Sequence, residues 1–327
     1  MTEPSVPTVG DVSESEVLAL ILSALKGSSA ALVGPGDDAA VLAAPGERVV
    51  VTTDSLVHGP DFRLAWSSPY DLGFKAAAVN LADVAAMGAR PTALFVALAM
   101  PDSTSLAFVE ELARGLRAGC DRLASGCAVE GGDLTASDTM TIAVTAIGVL
   151  EGRAPVLRSG ARPGDVVAVA GELGRAARGL DILFTRFRDA DGRPRTVDPS
   201  TLDAGEAADL AAQLRPEPPV ELGPRAADAG ATAMMDISDG LLLDATRLAE
   251  ASGVTLALRP VDDEHALRGG EDHALLATFP QDAALPEGFR VIGEVRARSG
   301  PAVLVGETAP LGPGGWDPYR DWDAGRG

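Results

Sequence analysis

Residues 75–89 read KAAAVNLADVAAMGA, and this stretch anchors the interpretation of the N-terminal half of the chain. Apolar residues recur at helical spacing over residues 68–87, which predicts a helix. Lys75, Asn80 and Asp83 then share one helix face, because residues three or four apart along a helix are neighbours. A surface ion pair between Lys75 and Asp83 would give the same pattern, so this helix alone does not decide the function.

Strand-like apolar runs alternate with helical patterns on either side of this helix, which predicts an α/β fold (α+β, with layered sheets and helices). The runs occupy residues 48–53, 91–100, 140–150, 165–170, 231–235 and 254–258, and further helical patterns occupy residues 105–123, 174–187 and 241–251. A length of 327 residues favours about two domains, and a turn-rich junction follows residue 152. We therefore expect an N-terminal α/β domain at residues 1–150 and a C-terminal α/β domain at residues 151–327.

The bulk composition argues against several classes of protein. A net charge of −20 excludes nucleic acid as a partner, since binding it needs a clustered basic surface. The apolar run at residues 17–25 is too short to cross a membrane and no basic stretch precedes it, so we interpret it as a helix of a cytoplasmic protein. Cys120 and Cys127 define neither a disulfide framework nor a zinc site, and we expect free, buried thiols.

Two short motifs bear on phosphate binding. Neither Lys26 nor Lys75 stands in a P-loop motif, so a P-loop is excluded. Residues 34–39 (GPGDDA) match the dinucleotide fingerprint, but carboxylates there would repel a pyrophosphate, and we reject that interpretation. Asp37 and Asp38 make better sense as ligands of Mg²⁺, which prefers carboxylate oxygens and bridges them to phosphates. An Asx turn is the alternative, and the sequence does not decide which aspartate is the ligand.

Three more carboxylate motifs lie at strand ends or beside glycines. Thr52-Thr53-Asp54 closes a buried-looking strand, Gly131-Gly132-Asp133 precedes a strand, and Asp236-Ile237-Ser238-Asp239-Gly240 follows a strand and opens a helix. Each motif has a simpler explanation as a turn or a helix N-cap. A single site that holds several metal ions and binds phosphate groups explains all of the motifs together, and we favour it.

Together these motifs resemble the thiamine-monophosphate kinases. The stretches that carry the resemblance, in family order, are GDDAAV (36–41), TTDSLV (52–57), KAAAVNLADVAAMGA (75–89), GGD (131–133), GELG (171–174), MDISDGL (235–241) and GGED (269–272). The resemblance implies the two-domain fold shared with aminoimidazole-ribonucleotide synthetase and selenophosphate synthetase. In that fold the N-terminal domain dimerises through its sheet, and the C-terminal domain closes over the nucleotide.

The resemblance also implies an activity and a set of site residues. The expected reaction transfers the γ-phosphoryl group of ATP to thiamine monophosphate, with several Mg²⁺ ions, in a homodimer. The implied metal ligands are Asp37 or Asp38, Thr52, Thr53, Asp54, Asp83, Asp133, Asp236 and Asp239. The implied nucleotide contacts are Gly132, Asp133, Arg158 and Ser238, and the implied acceptor contacts are Asp61, Glu271 and Trp316.

Three positions depart from the family pattern, all on the acceptor side. Asp61 stands where the family often has His, His273 stands where Tyr is usual, and the tail continues through Trp316 rather than ending in His-Phe. The role of His273 stays open at this point. We expect His58 and His265 to be solvated loop residues.

We expect direct in-line attack by the acceptor phosphate, because a phosphate monoester is already largely ionised at neutral pH. Neither a catalytic nucleophile nor a general base is expected, since the sequence shows no nucleophile with an adjacent base. Two alternatives stay open. One is another ATP-dependent enzyme of the same superfamily, such as aminoimidazole-ribonucleotide synthetase, and the other is a non-catalytic acidic metal-binding protein.

Overall fold

The computed structural model describes residues 32–33, 37–38, 40–44, 47–312 and 314–316. The helix expected at residues 17–25, Lys26, residues 34–36 and the tail beyond Trp316 lie outside these residues. The described strands form two sheets, one from strands that end by residue 149 and one from strands that begin at residue 166. The α/β class is confirmed, and the domain boundary near residue 150 stays a prediction.

The first sheet consists of β1 (Ala40–Ala44), β2 (Glu47–Val57), β3 (Arg90–Met100), β4 (Ala128–Ala136) and β5 (Thr141–Val149). Its strand order is β1-β2-β5-β3-β4, and every pair is antiparallel except β3 with β4. Along β5, buried residues alternate with half-buried ones, as expected for a sheet packed on one face. Two helices, α1 (Pro69–Ala86) and α2 (Leu106–Leu123), pack against the buried face.

Helix α1 starts at a capping box and is buried along most of its length. The Ser68 hydroxyl accepts a hydrogen bond from the Asp71 backbone N–H, and the Asp71 carboxylate accepts one from the Ser68 N–H. Six alanines make the helix thin enough to lie close to the first sheet. Lys75 and Asn80 are buried on it, so the polar face predicted from the sequence lies inside the protein.

Two glycines set the distance between α1 and α2. A methyl group at Gly73 would lie 2.0 Å from the carbonyl oxygen of Leu112, and one at Gly115 would lie 2.0 Å from that of Tyr70. Both separations are far shorter than any real contact of a Cβ atom, so glycine alone fits at these positions. The close contact fixes α1, and with it Asn80, against the sheet.

The second sheet has the strand order β11-β8-β10-β6-β9-β7 and is antiparallel except for the pair β11 with β8. Its strands are β6 (Val166–Ala170), β7 (Ala233–Ile237), β8 (Val254–Leu258), β9 (Ala274–Phe279), β10 (Phe289–Ala297) and β11 (Val303–Val305). The helices of this half are α3 (Arg175–Arg186), α4 (Ala204–Leu214), α5 (Leu222–Asp228), α6 (Leu241–Ser252) and α7 (Glu264–Arg268), with a 3-10 turn at Pro199–Thr201.

Three local predictions are wrong. Asp236 and Ile237 lie inside β7 instead of following a strand. The strand β2 continues to Val57, because β5 pairs with it along its whole C-terminal part, so Asp54 lies inside the strand instead of closing it. Residues 131–133 lie within β4 and not before a strand. Strand β4 can pair closely with β3 at this point because Gly132 has no side chain. A Cβ atom there would lie 1.9 Å from the carbonyl oxygen of Val96. In the part of the chain that the structure describes, no helix is long and apolar enough to cross a membrane.

We expect Gly115→Ala to lower the free energy of unfolding by about 1–3 kcal/mol, because α1 and α2 must move apart to admit the methyl group. Urea denaturation measures this change. Gly300→Ala is a matched control, since nothing lies within 4 Å of the methyl group it adds. The control should change the free energy by less than about 0.5 kcal/mol. Equal losses in both variants would contradict the close helix contact.

Candidate functional site

Four carboxylates from both halves of the chain converge beside the first sheet. Asp38 precedes β1, Asp54 lies on β2, Asp83 lies on α1 and Asp236 lies on β7. The negative charge of Asp236 raises the pKa of each of the other three carboxylates, which places the four within electrostatic reach. We call these four residues the carboxylate cluster. Its members are sequence-predicted metal ligands, and the fold brings them together from distant parts of the chain.

Hydrogen bonds from neighbouring side chains orient the cluster. The Thr52 hydroxyl donates to Asp83 Oδ2 at 2.9 Å and lies 3.2 Å from the carbonyl oxygen of Asp38. The amide oxygen of Asn80 accepts from the backbone N–H of Asp54 at 3.1 Å. Helix α1 thus reaches β2 through both Asn80 and Asp83, as their shared helix face requires.

The cluster is deficient in positive charge. Burial raises the pKa of Asp83 well above its ordinary value, and Asp236, Asp38 and Asp54 raise it further. Burial also raises the pKa of Asp38 to about 7, although Arg158 opposes the shift. One oxygen of Asp38, Oδ2, is buried without a hydrogen-bond partner. Carboxylates that repel one another and leave an oxygen unpaired suit a divalent cation that prefers oxygen ligands, so these residues fit Mg²⁺.

Arg158 pairs with the two aspartates that precede β1. Its backbone N–H donates to Asp37 Oδ2 at 3.2 Å, its Nε lies 3.6 Å from Asp37 Oδ1, and its Nη2 pairs with Asp38 Oδ1. Burial raises the pKa of Asp37 despite this cation. The guanidinium group of Arg158 thus neutralises part of the cluster, and its contact with the nucleotide stays a prediction.

Asp236 has the buried side chain of His273 as its partner. The ring Nδ1 lies 3.1 Å from Asp236 Oδ2, and both residues are almost inaccessible to solvent. Burial lowers the pKa of His273, but the hydrogen bond and charge of Asp236 outweigh it and the net shift is upward. His58 is solvent-exposed, as predicted, whereas His265 lies on α7 and pairs with Asp181 at 2.7 Å.

Asp239 lies beside the cluster and also has a cationic partner. Arg247 Nη1 lies 2.6 Å from Asp239 Oδ2 and 2.9 Å from Asp244 Oδ1. Burial raises the pKa of Asp239, and the nearby charges of Asp236 and Glu271 add to the shift against the opposing effect of Arg247. Asp239 is therefore electrostatically connected to the carboxylate cluster through Asp236.

A cavity of about 740 Å³ opens next to the cluster, and we call it the central cleft. Burial raises the pKa of Asp61 to about 6, with smaller contributions from Glu271 and Asp54. The backbone N–H of Trp316 donates to the carbonyl oxygen of Asp239 at 3.1 Å, which ties the start of the tail to the cleft. The predicted acceptor residues and Ser238 share its lining, which includes Asp61, Trp66, Lys75, Ser238, Glu271 and Trp316.

Two predicted metal ligands are not brought into the cluster. The Thr53 hydroxyl donates to the carbonyl oxygen of Val144 and accepts from Thr145, on the sheet face opposite Thr52. Asp133 lies on β4, three strands from β2 in the sheet order, which separates it from Asp54 by about 14 Å. Its register also puts it on the opposite face from Asp54, since it aligns with Ala97 and Ser55.

The described residues contain no group of three or more His, Cys, Asp or Glu side chains placed so that they could hold a metal ion by themselves as the structure stands. Mg²⁺ usually keeps several waters and binds one or two carboxylates together with substrate phosphates. The arrangement therefore suits ions that bind together with a phosphate-bearing ligand better than it suits a complete protein cage.

Three ionic contacts were not predicted. Lys75 pairs with Glu271 and not with Asp83, Arg247 pairs with Asp239, and His273 bonds to Asp236. Each joins residues far apart in sequence or on elements whose packing the sequence does not specify. The sequence gives one signal for the Lys75 ion pair. A lysine among alanines, on a helix that is buried along most of its length, needs a partner for its charge.

Comparison with known proteins decides the family. A family model described as AIR synthase related protein, N-terminal domain, matches residues 36–150. The thiamine-monophosphate kinase of Mycobacterium tuberculosis is 40% identical, over 97% of this chain and 95% of its own length. That of Corynebacterium glutamicum is 41% identical, over 95% of this chain and 94% of its own length. This chain belongs to the thiamine-monophosphate kinase family.

Solved structures agree with this assignment. The structure of AaThiL complexed with AMPPCP and TMP matches with a TM-score of 0.82 and 31% identity, covering 95% of this chain and 99% of that chain. The predicted family and fold are confirmed, and the chain is an enzyme, a thiamine-phosphate kinase. Neither another enzyme of the superfamily nor a non-catalytic protein accounts for these matches.

In the ligand-free protein, Asp83→Asn should raise the thermal midpoint at pH 8 by about 2–4 °C. The amide removes one repelling charge and still accepts the Thr52 hydrogen bond. A carboxyl group whose pKa is raised on folding destabilises the folded state increasingly as the pH rises from about 4, its pKa in the unfolded chain, through its higher pKa in the folded protein. The gain should therefore shrink at pH 5. Thermal unfolding at both pH values measures it.

The control for this change is Asp102→Asn, which removes the same charge at an exposed turn. It should leave both thermal midpoints unchanged. A lower midpoint for Asp83→Asn at pH 8 would contradict the inferred repulsion.

Proposed function

We propose that this enzyme transfers the γ-phosphoryl group of ATP directly to thiamine monophosphate, giving thiamine diphosphate and ADP, in a site that holds several Mg²⁺ ions. The observation that carries the proposal is the carboxylate cluster, which lies next to the central cleft and whose negative charge is only partly balanced by Arg158 and His273. The structural likeness to AaThiL complexed with AMPPCP and TMP supports the identity of both substrates.

The residues that would hold Mg²⁺ are those of the carboxylate cluster with Asp37, Asp239 and Thr52. When bound, Mg²⁺ supplies positive charge that offsets the charge of the phosphate oxygens. The protein's own part is to position these carboxylates. Thr52 and Asn80 orient Asp83 and Asp54, and His273 orients Asp236.

For the nucleotide we propose the groove between α2 and β4, where Gly132 and Asp133 lie. This groove has a volume of about 460 Å³, and its other walls are apolar, with Val96, Leu112 and Leu116 among them. Apolar walls with a few polar groups suit a heterocyclic base. Asp133 would then serve the nucleotide and not the cluster, whereas Arg158 and Ser238 lie on the cluster side.

For the acceptor we propose the central cleft. Trp316 has 41% of its surface exposed, so its ring is available to a ligand, and an indole attracts a cation such as a thiazolium ring. Glu271 and Asp61 add carboxylates to the same cavity. The acceptor phosphate is largely ionised at neutral pH, so the reaction needs no general base. This agrees with the pairing of His273 with Asp236 and of His265 with Asp181.

We also propose that the enzyme is a homodimer formed through the first sheet. On the face opposite α1 and α2, the side chains of β5 are half-buried, and Phe95 on β3 is 40% exposed. An apolar sheet face that the described helices leave open is a surface on which a second copy can pack.

Asp54→Asn should reduce the rate of thiamine diphosphate formation by at least about 100-fold, because it removes a carboxylate oxygen from the proposed metal site. The assay incubates the protein with ATP, Mg²⁺ and thiamine monophosphate, and it measures thiamine diphosphate and ADP together. The two products should appear in equal amounts with unmodified protein. Circular dichroism must show that the variant is folded, and Asp102→Asn should keep full activity. ADP without thiamine diphosphate would overturn the acceptor assignment.

Phe95→Asp should convert the dimer to a monomer, since a carboxylate at the centre of an apolar contact is costly to bury. Light scattering after size-exclusion chromatography gives the mass in solution. Leu106→Asp is the matched control, because Leu106 is 88% exposed at the start of α2 and off the sheet face. A monomeric unmodified protein, or a dimer that survives Phe95→Asp, would reject this interface.

A further inference from the structure

Helix α1 makes two ion pairs with the C-terminal half, one helical turn apart. Asp71 Oδ1 lies 3.0 Å from Arg215 Nη1, and Lys75 Nζ pairs with Glu271 Oε2. The two pairs differ in their surroundings. Arg215 has a side chain that is 44% exposed, whereas the side chain of Lys75 is 6% exposed. A lysine is seldom buried to this extent unless its charge is paired.

Lys75 has a second contact from the C-terminal half. With the Gln213 amide oriented to satisfy its hydrogen bonds, its oxygen accepts from Lys75 Nζ at 3.3 Å and its nitrogen donates to the carbonyl oxygen of Ala176 at 3.1 Å. Gln213 is itself buried on α4. The ammonium group is therefore held between a fixed amide and the Glu271 carboxylate.

The turn that carries Glu271 is fixed on both sides. Glu271 and His273 have φ angles of 73° and 50°, a conformation that costs free energy in residues other than glycine and persists where the surroundings impose it. The Glu271 N–H donates to the carbonyl oxygen of Ser238 at 2.7 Å. Asp272 stands between Glu271 and His273 in the sequence. Its carboxylate accepts hydrogen bonds from the backbone N–H groups of Gly174 and Ala176 and so caps the start of α3.

Glu271 is thus the member of this turn whose side chain opens into the central cleft. Its side chain is 40% exposed, and both Glu271 and Lys75 line the cavity. Burial raises the pKa of Glu271, but the charges of Lys75 and His273 outweigh it and the net shift is downward. A carboxylate that stays ionised and points into a cleft favours a cationic group in the ligand.

We propose that Lys75 is a positioning residue for the acceptor, which holds the Glu271 carboxylate in the orientation that recognises the cationic heterocyclic part of thiamine monophosphate. The inference rests on the proposed function, because it assumes that this acceptor binds in the central cleft. The competing explanation is that the Lys75–Glu271 pair is a brace between α1 and the C-terminal half and nothing more. The Asp71–Arg215 pair provides the comparison, since it also joins α1 to the C-terminal half but lies away from the cleft.

The experiment compares the unmodified protein with Lys75→Met, Lys75→Arg, Arg215→Met and the charge exchange Lys75→Glu with Glu271→Lys. For each protein, steady-state kinetics give kcat and the KM values for thiamine monophosphate and for ATP. Tryptophan fluorescence follows binding of thiamine monophosphate without turnover, because Trp66 and Trp316 line the cleft. Thermal unfolding measures separately how much each ion pair stabilises the contact between α1 and the C-terminal half.

Lys75→Met should raise the KM and Kd for thiamine monophosphate about tenfold and leave the KM for ATP within about twofold. Lys75→Arg should recover most of this loss. Arg215→Met should lower the thermal midpoint without changing the KM for thiamine monophosphate. The charge exchange should restore the thermal midpoint but not the KM, because it moves the carboxylate from position 271 to position 75, where it no longer has the orientation that recognises the ligand.

Other results would overturn the proposal. A KM for thiamine monophosphate that stays normal in Lys75→Met, or that the charge exchange restores, would show a brace and no positioning role. If Lys75→Met does not fold, the charge exchange decides in the same way. Absence of thiamine diphosphate formation by the unmodified protein would overturn the proposed function and this inference with it. If the unmodified protein forms thiamine diphosphate normally and the Lys75 variants keep its KM values, this inference alone is overturned.

Discussion

Repulsion among the four clustered carboxylates is the constraint on which the rest of the structure depends. Asp236 lies close enough to Asp38, Asp54 and Asp83 to raise the pKa of each, and burial adds to each shift. Such a group costs free energy in the ligand-free protein, because charge removed from water must be paired or neutralised. The fold supplies the stability that keeps these side chains together. The tight α1–α2 contact and the β2–β5 pairing hold two of the four in place.

The protein offsets this charge in part, with three basic side chains that contact four of the carboxylates at the site. Arg158 serves Asp37 and Asp38, Arg247 serves Asp239, and the ring of His273 bonds to Asp236. Asp83 has a hydroxyl partner and no cation among the contacts seen in the described residues. The remaining deficit of positive charge lies at the carboxylate cluster, which both halves of the chain contribute to, beside a cavity large enough for a substrate. Phosphate-bound Mg²⁺ would complete the neutralisation and would thereby link metal binding to nucleotide binding.

Much of the fold and part of the site could be predicted from the sequence. Helical periodicity located α1 and α2 to within two residues, because both helices have long, regular apolar patterns. The carboxylate motifs were recognisable as one group, yet their geometry was not. Strand register decides that Thr53 faces away from Thr52 and that Asp133 lies across the sheet, and register is set by pairing between distant segments. The pairing of Lys75 with Glu271 depends likewise on how the two halves pack.

The central claim is that carboxylates from both halves hold Mg²⁺ together with the phosphates of ATP. Calorimetric titration of the unmodified protein with Mg²⁺, with and without a non-hydrolysable ATP analogue, tests it most directly. Our account predicts weak Mg²⁺ binding alone and tighter binding of more ions with the nucleotide present, because the carboxylates do not form a complete cage. Equal Mg²⁺ binding in both titrations would contradict it.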